Sequence, residues 1–197
     1  MTLVLASTSP RRRDLLARAG VTFEAASTEV DESPRPGEAP GALAARLARA
    51  KAEAVRRPDA FVLGADTIVV LGTRILGKPA DEAEAADMLR LLGGRTHAVM
   101  TATCLLLPRP GGGAIERVCT TEVDMVPIDG RDVAAYVAGG EWRGKAGGYA
   151  AQGIASAFIA AVRGSYTNVV GLPLAEVIAD LRAAGAPAAD LARGVAA

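Results

Sequence analysis

Aromatic residues make up only 4% of this 197-residue chain, against 50% hydrophobic residues, so its core is expected to be Ala, Leu and Val. Histidine occurs once, at His97, which argues against a histidine-built metal site and against a Ser-His-Asp triad. A lone strand histidine is more often structural. The two cysteines, Cys104 and Cys119, share no CxxC spacing, so no zinc site is indicated. Free thiols in a reducing, cytoplasmic setting are the expectation. Net charge is missing too: 22 basic and 22 acidic residues cancel, which argues against wholesale nucleic-acid or membrane-surface binding. No basic segment followed by a long apolar stretch opens the chain, so no secretory signal is visible. The longest uncharged run, Ala146 to Val162, contains Gly, Gln and Ser and falls short of a membrane span. Neither GxxxxGK(S/T) nor GxGxxG spacing is present, which leaves the P-loop and Rossmann signatures unsupported.

The length fits one large domain or two closely packed lobes. Strands are expected over Leu3 to Ala6, Val21 to Ala26 and Phe61 to Leu71, with a hairpin of Arg95 to Leu107 and Ile115 to Val126 around Pro108–Gly113. Helices are expected after Ser9, over Ala42 to Arg57 with Leu43, Leu47, Ala50 and Ala54 on one stripe, and from Asp81 to Leu92. A short helix opens at Asp129 and ends near Gly139, a glycine-rich segment and a strand follow, and Leu174 to Ala184 forms the last helix. Strands and helices intermix with at least one hairpin, which predicts an α/β fold with a mixed sheet.

The first helix start breaks a local rule. Ser9 is placed as N-cap and Pro10 as first helical residue, yet Arg11, Arg12 and Arg13 crowd an end whose dipole already favours anions. A bound polyphosphate would repair the conflict; a solvated arginine face is the plainer alternative. Asp66 is the one ionisable group in the apolar strand Phe61 to Leu71, where a carboxylate must be paired, hydrogen-bonded or metal-bound unless it ends a strand at solvent. Gly64 and Ala65 before it leave room for a close approach. Lys51 stands on the stripe of Leu43 and Leu47, either snorkelling along it or directed into a cleft. Lys78 lies in the rigid turn Gly77-Lys78-Pro79. Glu29, Asp31 and Glu32 form either an exposed acidic loop or oxygen ligands for Mg²⁺. In Glu141 to Gly153, glycines beside Tyr149 and Gln152 suit a pocket wall for a planar group, or a flexible loop, and Asn168 precedes the last helix.

In order along the chain, Leu-Ala-Ser-x-Ser-Pro-Arg-Arg (5–12), Asp31-Glu32, Lys51-Ala52, Gly-Ala-Asp-Thr (64–67), Gly-Lys-Pro (77–79), Lys-Ala-Gly-x-Tyr (145–149), Gln-Gly (152–153) and Asn-Val-Val-Gly-Leu-Pro (168–173) resemble the Maf family of nucleoside-triphosphate pyrophosphatases. The resemblance implies one Maf-like domain over residues 1–197. Its fold would be an elongated mixed β-sheet with flanking helices and a cleft between two lobes, similar to inosine-triphosphate pyrophosphatases. It implies hydrolysis between the α- and β-phosphates with a divalent cation, Mg²⁺ or Mn²⁺. By the same resemblance Asp66 is the proton acceptor; Arg11, Thr67 and Gln152 influence substrate choice; Ser7, Arg12, Lys51 and Lys78 contact phosphates; and Glu32 with Asp66 would hold the metal. Ser165 departs from the family pattern, replacing an acidic residue.

Residues 145 to 153 resemble the dTTP/UTP branch, whereas the 7-methylguanosine branch tends to Cys-Ala-Gly-x-Phe and an acidic residue in place of the glutamine. A glutamine amide matches the O4 acceptor and N3–H donor of uracil or thymine and, flipped, the reversed pair of cytosine, whereas a carboxylate suits the two donors of guanine. The partner expected is a small-molecule nucleoside triphosphate, with no membrane, nucleic acid disfavoured, and a homodimer left open. The competing reading is a non-catalytic nucleotide- or nucleic-acid-binding regulator of cell division. It would need the phosphate cradle but no base, so Asp66 argues against it.

Overall fold

The structure, a computed structural model, describes residues 1–108 and 111–187. It is mixed α/β, with a seven-stranded sheet ordered β2-β1-β3-β5-β6-β7 and β4 paired to β3. The strands are β1 (Leu3–Ala6), β2 (Glu24–Ala26), β3 (Phe61–Leu71), β4 (Arg74–Leu76), β5 (Thr96–Leu106), β6 (Ala114–Met125) and β7 (Ile159–Arg163). The helices are α1 (Pro10–Arg18), α2 (Pro40–Ala54), α3 (Glu82–Leu92), α4 (Gly130–Gly139), α5 (Tyr166–Val170) and α6 (Leu174–Ala183). Strand β1 runs parallel to β2 and β3, while β3 with β4 and β6 with β7 are antiparallel. Part of the expected hairpin turn, at residues 109 and 110, lies outside the described residues.

The chain forms two compact units, and β3 passes from one to the other between Asp66 and Thr67. The first unit holds Met1–Asp66, Thr101–Cys119 and, among the described residues, 171–187. Strand β1 and the first half of β3 are apolar on both faces and buried, as parallel strands covered on two sides must be. Helix α1 ends in a Schellman motif: Gly20 at φ +72° donates to Ala17 O, and Val21 donates to Leu16 O at 3.1 Å. That cap takes the Val21 amide, so β2 begins at Glu24 rather than at Val21. Helix α2 stops at Ala54 rather than Arg57, because Val55 and Arg56 close a tight last turn ahead of Pro58. Its buried stripe is Leu43, Ala44, Leu47, Ala48, Lys51 and Ala52, and the expected Ala50 and Ala54 lie half-buried and exposed. A bidentate pair from Arg117 of β6 to the buried Asp180, both bonds 2.6 Å, pins α6.

The second unit holds Thr67–Met100 and Thr120–Val170. Its core packs Leu89, Leu92, Val99, Val123, Val133, Tyr136 and Trp142 together. Asp81 caps α3 by accepting from Glu84 N at 2.8 Å, and Asp129 caps α4 from Arg131 N and Asp132 N. Asn168 precedes the last helix, as expected, and lies inside the short α5, where its Nδ2 donates to Val99 O and Thr121 Oγ1, both at 3.0 Å. Ser165, the departure from the family pattern, accepts from Asn168 N through its Oγ and so caps α5. No helix among the described residues is long and apolar enough to cross a membrane.

Candidate active site

In the first unit the decisive packing event is α2 against β3. A Cβ on Gly64 would stand 2.2 Å from Ala48 O and 2.8 Å from Ala52 N, so only glycine lets the helix backbone lie this close. The close approach foreseen at Gly64 is thus made by the chain itself. It sets Lys51, one turn beyond Ala48, against Asp66, two residues beyond Gly64. The Lys51 ammonium donates to Asp66 Oδ1 at 2.6 Å and pairs with Glu32 Oε1 at 2.6 Å. Lys51 and Asp66 are only 8% and 7% exposed, so the Lys51 ammonium does not snorkel to solvent but ends between two carboxylates. Asp66 is mid-strand and paired, not a strand end at solvent.

Strand β1 delivers the second cluster. Ser7 follows it directly, and its Oγ accepts from Ser9 N and from Arg12 Nη1, both at 3.2 Å. Arg12 Nε donates to Gly171 O at 2.8 Å, which ties α1 to the Gly171-Leu172-Pro173 segment. Burial lowers the Arg12 pKa most; Asp66 raises it, Arg11 lowers it again, and Glu32 raises it. Arg11 is half-buried, its pKa lowered by desolvation, and Arg13 is exposed. Ser9 occupies the N-cap position but accepts no side-chain capping bond. The Gly171 carbonyl carries no side-chain signal, so its part in fixing Arg12 was not readable from residue types.

The acidic loop divides into three roles. Glu32 reaches Lys51, Asp31 Oδ1 accepts from Ser33 N at 2.9 Å in a local turn, and Glu29 is exposed. The Ser33 bonds hold the Asp31 carboxyl below its usual range. No group of three or more His, Cys, Asp or Glu positioned for a metal occurs among the described residues. The two carboxylates that meet at Lys51 are hard oxygen donors, and a pair of them fits a Mg²⁺-type ion that fills its shell with substrate phosphate oxygens and water.

In the second unit Gly147 N donates to Gly77 O at 2.9 Å, so the Gly77-Lys78-Pro79 turn and the Lys145–Tyr149 segment are joined. Lys78 and Gln152 are exposed and Thr67 is half-buried. Tyr149 is 6% exposed within the unit's core, and its hydroxyl bonds His97 Nε2 at 2.8 Å. Burial raises the Tyr149 pKa and lowers that of His97 to about 4, so this pair is neutral and structural. Cys104 is buried with its thiol pushed up to about 12, which excludes a neutral-pH nucleophile there.

The family described as Maf-like protein matches residues 2–184 of this sequence. The chain belongs to that family. It is 53% identical over 189 residues to a dTTP/UTP pyrophosphatase of Cereibacter sphaeroides, covering 95% of this chain and 97% of that one. To a dTTP/UTP pyrophosphatase of Hyphomonas neptunium it is 51% identical over 175 residues, 88% of this chain and 91% of the other. Among solved structures it is similar to a HAM1 protein from Coxiella burnetii, at TM-score 0.43 and 15% identity over 64% of this chain and 73% of that one.

Proposed function

We propose that this Maf-like chain hydrolyses dTTP and UTP at the α–β phosphate bond, giving the nucleoside monophosphate and pyrophosphate. The observation that carries the reading is the buried Asp66 carboxylate held at 2.6 Å by Lys51, beside a serine and arginine cradle at a helix start. A base must be fixed near the attacked phosphorus, and charge must be neutralised there without reorganisation. Lys51 fixes where the Asp66 oxygen points. Asp66 takes the proton of the water whose oxygen attacks the α-phosphorus. The bond to the α–β bridging oxygen breaks, and that oxygen leaves on pyrophosphate.

Ser7 and Arg12 bind phosphate oxygens at the start of α1, where backbone amides and the dipole favour anions. Arg11 and Lys51 add positive charge. Glu32 and Asp66 would hold a divalent cation, Mg²⁺ or Mn²⁺, which supplies charge neutralisation for the triphosphate. The parts of Thr67, Lys78 and Gln152 rest on the motif match: Lys78 as a phosphate contact, Thr67 and Gln152 in choosing the base.

The test is a panel of dTTP, UTP, CTP and 7-methyl-GTP incubated with the protein and Mg²⁺, with products separated. Pyrophosphate and monophosphate in equal amounts from dTTP and UTP are expected. Orthophosphate as the first product, or no turnover of either, would overturn the reading.

A further inference from the structure

The turn that carries Gln152 is held from one place. Helix α4 supplies both anchors, one inside its last turns and one just past its end. The buried Tyr136 hydroxyl accepts from Ala150 N at 2.9 Å. Beyond the helix the chain turns at Gly140, and Glu141 Oε2 accepts from Ile154 N at 2.9 Å. Between them Gly153 N donates to Ala150 O at 3.0 Å and closes the turn. A Cβ on Gly153 would stand 2.0 Å from Glu141 Oε2 and 2.7 Å from its Cδ. The carboxylate therefore lies directly against the Gly153 backbone and occupies the space that any other residue's side chain would need. Gln152, between these fixed points, keeps its side chain exposed.

A carboxylate just after a helix C-terminus opposes the helix dipole, so Glu141 is not placed there for the benefit of α4. Its charge-assisted bond goes to the loop instead. We propose that Glu141 is a positioning residue for base discrimination, its carboxylate fixing the 150–154 backbone from which Gln152 meets the base. This rests on the reading above that Gln152 selects the pyrimidine. A side chain at 153 would displace the Glu141 carboxylate from its bond to Ile154 N.

The experiment measures kcat and KM for dTTP and 7-methyl-GTP in wild type and in Glu141→Ala, Glu141→Gln, Gly153→Ala and Gln152→Ala, with exchange of the Ile154 amide followed alongside. Glu141→Ala is expected to lower the dTTP-to-7-methyl-GTP ratio of kcat/KM by about 5- to 20-fold, mainly through KM, the effect of one lost hydrogen bond at a discriminating site. Glu141→Gln keeps an acceptor oxygen and should retain most of the ratio. Gly153→Ala should reproduce the Glu141→Ala defect with the carboxylate still present. In the Gln152→Ala background, Glu141→Ala should change the ratio no further. Ile154 amide exchange should accelerate in Glu141→Ala while the α4 amides keep their protection. An unchanged ratio in Glu141→Ala, with Gln152→Ala clearly altering it, overturns the positioning role alone. An unchanged ratio in Gln152→Ala removes the base-reading role of Gln152, and the positioning role with it.

Discussion

The first unit holds its candidate functional groups mostly through their own side-chain ends, and the second mostly through the main chain beneath them. Around Asp66 the partners are Lys51, Glu32, Arg12 and Ser7, mostly buried and bonded through their terminal atoms. Around Gln152 and Lys78 the fixing bonds run between main-chain groups, as from Gly147 N to Gly77 O, or from main chain to Tyr136 and Glu141. A proton acceptor and its counter-charges must be held to a fraction of an ångström in a medium that strengthens charge, which calls for burial. A group proposed to test the edge of a base has to remain exposed to meet it, so its precision would come from the chain beneath it. The two regions should therefore fail differently when altered.

The largest effect is expected at Asp66. Asp66→Asn should lower kcat about 10²- to 10⁴-fold, as removal of a general base does, with KM little changed. The isosteric amide still accepts from Lys51, and Glu32 still pairs that ammonium, so the melting temperature should move only slightly. Retention of near-normal turnover would take Asp66 out of the base role. Lys51→Met is the complementary break, because it leaves a buried carboxylate without its partner. A loss of about 3–5 kcal/mol in unfolding free energy is expected from denaturant titration. Lys51→Met combined with Asp66→Leu should regain most of that stability while remaining inactive. If the double variant is no more stable than Lys51→Met, burial of the pair is not what sets the cost.

The same contrast explains what could be read in the sequence. Asp66 was visible as a charge in the apolar run Phe61 to Leu71, and Lys51 as a charge on the stripe of Leu43 and Leu47. Periodicity showed that both were out of place but not that each was the other's partner, because helix-to-strand docking is a tertiary event. Gly64 hinted at it. The acidic loop offered three similar carboxylates, and only the loop conformation separates Glu32 from Asp31 and Glu29. The burial of Tyr149 gave no signal among its glycines, because the His97 that satisfies its hydroxyl lies 52 residues away in the chain. Helix α5, five residues long, is too short to show a period, and the late start of β2 follows from a cap that uses the Val21 amide. The tie from Glu141 to Ile154 joins positions with no periodic relation, so no pattern could announce it.

The buried polar pair of the second unit is uncharged, which makes a pH test of the comparison. Burial depresses the His97 pKa from 6.5 to about 4. Between those values the unfolded chain holds a proton on His97 that the folded chain does not, so stability rises with pH across the window. Lowering the pH from 6.5 through 4 should therefore cost the wild type about 3 kcal/mol more than it costs His97→Gln. Chemical denaturation at pH 4, 5, 6 and 7 measures the difference between the two proteins. Parallel stability curves would mean that His97 takes up its proton in the folded state as readily as in the unfolded one.

The smallest effect belongs to the exposed position. Gln152→Glu keeps size and shape but exchanges the amide's donor for a second acceptor. Against dTTP or UTP that acceptor would face the O4 lone pair, and the lost bond is worth about 1–3 kcal/mol, or roughly 5- to 150-fold in kcat/KM. A guanine edge, with two donors, should suffer less or gain, so the ratio of 7-methyl-GTP to dTTP use should rise. Because the side chain is exposed, the melting temperature should stay within about 1 °C of wild type, as surface substitutions generally do. Here lies the contrast with Lys51→Met, which should lose stability and activity together. A uniform fall for dTTP, UTP, CTP and 7-methyl-GTP would mean that Gln152 supports the turn without meeting the base, and the pyrimidine preference would then need another physical origin.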